Sequence, residues 1–98
     1  MIKHIVCFKL KKGESPEKAK EVLLSMKGNV PLIKEIEVGV DFLHSERSYD
    51  VYLSVVLENK KALEDYQNDP YHVSVVKKHM HAVRESSVAL DFEIQYRF

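Results

Sequence analysis

Two spacings of apolar residues succeed one another along this chain in the order strand, helix, strand, twice over, and no other feature limits its fold as much. The clearest stretch is the last. Val88, Leu90, Phe92, Ile94, Tyr96 and Phe98 alternate with Ala89, Asp91, Glu93, Gln95 and Arg97, a period of two that belongs to an extended strand. The same period puts Ile2, His4, Val6, Phe8 and Leu10 on one face of an opening strand, with Lys3, Ile5, Cys7 and Lys9 on the other. Ile36, Val38 and Val40 mark a second strand. Tyr49, Val51, Leu53, Val55 and Leu57 mark a third, and the polar stretch 44–48 between them is the turn of a hairpin.

Helical spacing fills the two gaps. After Gly13, Ser15 reads as a cap and Pro16 as the first helical residue, with Ala19, Val22, Leu23 and Met26 on one stripe and Gly28-Asn29 as the stop. Asn59 caps a short helix from about Lys60 to Gln67, and Asp69 and Pro70 open another that runs to about Val83. A β-α-β-β-α-β order in one chain is that of a ferredoxin-like α+β sandwich, an antiparallel sheet with both helices on one face. We expect a single domain over residues 1–98.

The other sheet face bears on assembly. On this reading it holds Ile5, Cys7, Tyr52, Val56 and Ala89 among Lys3, Lys9, Ser54, Asp91 and Glu93, more apolar than a face left in water. A chain of 98 residues also has a thin core of its own. Both points predict a homodimer formed by the same face on each subunit.

Charge narrows the partners. Fifteen Lys and Arg balance fifteen Asp and Glu, so no net field draws in phosphate backbones, and the nearest basic run, Lys9 to Lys12, is followed at once by Glu14 and Glu17. We expect no nucleic-acid partner. No segment approaches the roughly 20 apolar residues that span a bilayer, and the chain opens with no secretory leader, which predicts a cytoplasmic protein with no membrane partner. The single Cys7 leaves no intramolecular disulfide.

Three residues carry the plausible chemistry. His4 lies between Ile2 and Val6 on an apolar strand face and so points into the helix-covered core. Tyr66 continues the inward stripe of Ala62 and Leu63, which buries its ring and obliges its hydroxyl to find a partner. His72 recurs with Val76, Met80 and Val83 and also points inward. Such a trio either completes hydrogen bonds in a small core or lines a ligand pocket in which imidazoles exchange protons.

The other histidines have poorer geometry. His79 and His81 face different directions, His72 and His79 stand roughly 10 Å apart along a helix axis, and His44 and His81 read as surface residues. No metal site and no cofactor motif emerges, since phosphate loops, Cys-x-x-Cys and His-Glu-x-x-His are all missing from the sequence.

Read together, the opening run from Ile2 to Lys11, the Gly39-x-Asp41 pair, the run from Asp65 to Val73 with its Tyr-x-x-x-Pro-x-His, and the closing Val88-Ala89-Leu90-Asp91-Phe92-Glu93 resemble the stress-responsive dimeric α/β-barrel (Dabb) family. The likeness covers nearly the whole chain. It implies two ferredoxin-like subunits that pair their sheets into a barrel with helices outside. Most members are described through stress responses. One plant branch, the olivetolic acid cyclases, closes a linear polyketide by intramolecular aldol condensation, and its catalytic pair matches Tyr66 and His72, with His4 matching a further pocket histidine.

The resemblance therefore implies proton-transfer chemistry on a small carbonyl compound, with His72 removing a proton, Tyr66 donating to the carbonyl oxygen and His4 orienting either group. A non-catalytic stress or ligand-binding module with a structural His/Tyr core is the alternative. A cofactor-free oxygenase is a third reading, on analogy of fold.

Overall fold

The computed structural model describes residues 1–95; the proposed alternation at Tyr96 and Phe98 lies outside the described residues. Four strands, β1 (Ile2–Leu10), β2 (Glu35–Val40), β3 (Val51–Leu57) and β4 (Arg84–Glu93), form one antiparallel sheet in the order β2-β3-β1-β4. Helix α1 (Pro16–Leu24) links β1 to β2. Helix α2 (Lys60–Gln67), a π-helical segment (His72–Lys77) and α3 (Lys78–Val83) link β3 to β4. This is the ferredoxin-like arrangement that the periodicity predicts.

Local chemistry accounts for the boundaries. The Ser15 hydroxyl accepts from Lys18 N at 3.0 Å and Pro16 takes the first turn, where its missing N–H costs nothing. The regular helix stops at Leu24, short of the expected Gly28, because Ser25 turns its hydroxyl onto the Val22 carbonyl and the chain tightens into turns as far as Asn29. Gly28 then reverses direction with φ +86°, a conformation that a side chain would disfavour. Asn59 Oδ1 accepts from Ala62 N at 2.8 Å to start α2.

Below the helices the core is continuous. Phe8, Leu10, Leu53, Val55 and Leu57 from the sheet meet Leu23 of α1, Met26 just after it, and Val76, Met80 and Val83 from the last helical stretch. Full burial of a side chain such as Leu23, Met26 or Leu57 contributes roughly 1.5–3 kcal/mol relative to its exposed state.

The uncovered sheet face differs from expectation in β4. Cross-strand partners share a face, and the register pairs Val6 with Ala89, His4 with Asp91 and Ile2 with Glu93. Ala89, Asp91 and Glu93 therefore lie on the helix side, and Val88, Leu90 and Phe92 on the open side, the reverse of the sequence reading. Alternation alone does not say which phase of an edge strand faces inward; pairing with β1 does. The open face is correspondingly more apolar than expected, with Val88 and Leu90 at 50% and 61% exposure beside Ile5 and Cys7 of β1.

Candidate functional site

His4, Tyr66 and His72 meet. The Tyr66 ring lies stacked on His72 with centroids 4.2 Å apart and planes at 24°, and it meets His4 edge-on at 5.8 Å and 64°. All three are buried: Tyr66 is fully enclosed and each histidine is 7% exposed. Topology brings them together, because β1 runs through the middle of the sheet directly under the end of α2 and the start of the π-helical segment.

Each side chain is held differently. His4 donates from Nδ1 to the Asp91 carboxylate on the neighbouring strand. His72 donates from Nδ1 to the Tyr66 carbonyl at 2.9 Å, while its backbone N–H goes to Asp69 Oδ1 at 3.1 Å. With Nδ1 as donor, the neutral ring of His72 carries its lone pair on Nε2. Among the described residues no buried side-chain nitrogen or oxygen lacks a partner, and neither Nε2 has one, so both remain open to the space beside them. The Tyr66 hydroxyl donates to Met26 Sδ at 3.7 Å, a weak acceptor.

That space is a cavity of about 230 Å³ between the sheet and the last helical stretch. Val6, Phe8 and Leu53 of the sheet and Val76 and Met80 of the helix make its walls; His4, Tyr66 and His72 supply polar groups; Lys77, His81 and Arg84 complete the lining. A wider groove of about 460 Å³ along β2 holds lysines and glutamates but no histidine, tyrosine or cysteine.

Burial sets the protonation states. It lowers the His72 pKa below the usual imidazole range, against the opposing Tyr66 carbonyl and with help from the positive charge of Lys77. The ring is thus neutral and basic near pH 7. Burial, and secondarily the charge of Asp69, raises the Tyr66 phenol above its usual range, so Tyr66 acts only as a hydrogen-bond donor.

The π-helical segment shapes the far wall. In such a segment the backbone bonds run from i to i+5, so residues five apart stand one above the other. Lys77 is thereby brought over His72, where an α-helix would carry it to one side, and its Nζ reaches the Gln67 carbonyl at 2.8 Å.

A family model matches residues 2–94, almost the whole chain. The chain belongs to the Dabb family, the stress responsive A/B barrel domain. A dimeric protein of unknown function and ferredoxin-like fold from Bacteroides fragilis is 27% identical, with a TM-score of 0.76 and 95% of each chain covered. A Dabb family protein from Mesorhizobium loti is 20% identical with a TM-score of 0.72, over 97% of each chain. The hydroxynitrile lyase of Passiflora edulis shares the fold at 19% identity and a TM-score of 0.75, over 99% of this chain and 95% of its own. No curated protein matches the sequence significantly.

Several residues of the Dabb chain's site escape sequence reading. Asp91 escapes because the phase of β4 is ambiguous; a buried histidine in want of a partner on the adjacent edge strand was the available signal. Lys77 falls off the inward stripe of an α-helix and joins it only in the wider π turn. His81, expected at the surface, is exposed yet also reaches the cavity. Asp41 of the Gly39-x-Asp41 pair serves the hairpin, where its carboxylate accepts from His44 N at 2.7 Å and holds His44 at φ 55°. Among the described residues no group of three or more potential ligands converges on a metal position, and no helix is long and apolar enough to cross a membrane.

Proposed function

We propose that this Dabb chain is a homodimer, joined through the open sheet face, in which each subunit binds a small carbonyl compound between sheet and helices and moves a proton on it. The observation that carries the reading is the orientation of His72. Its Nδ1–H is committed to the Tyr66 carbonyl, burial keeps the ring neutral, and Nε2 is left as a free base at a half-open pocket with mainly apolar walls. The exposed Val88 and Leu90, and the description of neighbours as dimeric, support the assembly.

The chemistry follows from the groups. His72 Nε2 takes a proton from the carbon beside a carbonyl. The C–H electrons move into the carbon–carbon bond, and the carbonyl π pair goes to oxygen as an enolate. Tyr66 donates to that oxygen in exchange for its weak contact with Met26, and the imidazolium that forms keeps its Nδ1–H on the Tyr66 carbonyl, which offsets part of the cost of charging a buried ring. Where the ligand holds a second carbonyl within reach, the enolate carbon bonds to it. The new alkoxide recovers the proton from His72, completing an aldol step with atoms balanced. His4, fixed by Asp91, orients the ligand with its free Nε2. The presence of a hydroxynitrile lyase among structures of this fold is consistent with lyase chemistry on the scaffold.

The complete satisfaction of buried polar groups supports a second reading, a binding module without turnover. Deuterium exchange separates the two. Purified protein is mixed in heavy water with a panel of small ketones and oxo acids, and α-proton loss is followed by NMR. We expect exchange that falls about 10²-fold or more in His72→Gln. Exchange equal in wild type and His72→Gln, or none above buffer for any compound, removes the catalytic role and leaves the binding module.

A further inference from the structure

We infer that the compound taken by this cavity carries a carboxylate, bound at Lys77 and Arg84 with its carbonyl turned toward His4 and His72. The inference rests on the proton-transfer reading of the same cavity and names its substrate class: small oxo acids in preference to neutral ketones and aldehydes.

The lining is electrostatically one-sided. No Asp or Glu contributes to it, whereas Lys77, His81 and Arg84 follow one another at i, i+4 and i+7 along its edge. The chain as a whole has as many acids as bases, so a cavity with cations and no carboxylate does not follow from composition. Nor are the cations neutralised. Among the described residues neither Lys77 nor Arg84 forms an ion pair, although Lys60 and Lys61 do. Lys77 is not trailing into solvent either: its ammonium is tied to the Gln67 carbonyl, and its charge is felt at His72.

Orientation follows from where the nearest acid lies. Asp91 is outside the lining, engaged by His4, and seven residues along β4 from Arg84. An anionic group is repelled at the His4 end and attracted at the Arg84 end, where a guanidinium can grip both carboxylate oxygens. The apolar walls between these ends suit a short carbon chain, and about 230 Å³ leaves room for little more.

Levulinate, a short oxo acid, and its methyl ester, which lacks the charge, provide the test. Binding is followed by NMR of the histidine side chains at low salt, in wild type, Arg84→Gln and Lys77→Gln. Glutamine at 77 keeps a donor for the Gln67 carbonyl. We expect both compounds to move the His4 and His72 signals, with the acid binding about tenfold or more tightly than the ester and losing that advantage in either variant and at high salt. Equal affinities for acid and ester, or an acid affinity unchanged in both variants, overturn the carboxylate assignment and leave the cavity reading standing. Failure of both compounds to move those signals overturns the carboxylate assignment and the cavity reading together. Unchanged ester binding in the variants shows that they are folded.

Discussion

Consecutive residues of β4 point to opposite sides of the sheet, Asp91 toward His4 beneath the helices and Leu90 and Phe92 toward the uncovered face. The covered side contains two histidines, a tyrosine and a carboxylate contact, all with partners. The uncovered side carries Val88, Leu90 and Phe92 along β4. A monomer that lived alone would distribute these residues the other way, with polar groups in water and apolar ones inside. The inversion fits the proposal that the two faces have different occupants, a small molecule beneath the helices and a second copy of the chain over the sheet.

The largest effect expected from disturbing that contrast is on assembly. Leu90→Asp brings two like charges together near a two-fold contact and weakens the dimer by about 2–4 kcal/mol. Light scattering at micromolar concentration should then report the 11.4 kDa subunit in the variant and twice that mass in wild type. A wild-type chain that is already monomeric breaks the comparison outright.

On the covered face, acid is the sharper probe. His72 has a depressed pKa in the folded state, so below about pH 6.5 the unfolded chain binds a proton that the folded chain resists. Its stabilising contribution is complete above that pH and is lost as pH falls toward the folded value. Denaturant melts should lose stability more steeply between pH 7 and 5 in wild type than in His72→Gln. Identical slopes would show that the ring is not held neutral by its surroundings.

The smallest effect belongs to Tyr66→Phe. Its hydroxyl has only a thioether acceptor, so stability should change by no more than about 1 kcal/mol, whereas α-proton exchange should fall. A large loss of stability with unchanged exchange would make that hydroxyl a structural group and not a donor to ligand.

Periodicity alone makes most of the architecture legible: the four strands, the caps at Ser15, Asn59 and Asp69, and the inward aim of His4, Tyr66 and His72 can all be read from spacing, because each depends on residues close in sequence. What is lost depends on distance. The partner of His4 comes from a strand 87 residues away, and its face is decided by pairing and not by its own alternation. The π turn over His72–Lys77 has no spacing signature, since it comes from a shift in backbone hydrogen bonding and not from the order of apolar and polar residues. The Gly39-x-Asp41 pair carries a family resemblance, yet its work here lies in the hairpin.

Strand β4 sits at the sheet's edge and pairs with β1 alone. A slip of one residue against β1 would exchange its two sets of side chains, carrying Asp91 outward and Leu90 into the space beside His4. A partner subunit resting on Val88, Leu90 and Phe92 opposes that slip, because it would exchange a greasy contact for a charged one. In the proposed dimer, assembly would thus act as a lock on alignment, holding Asp91 against His4.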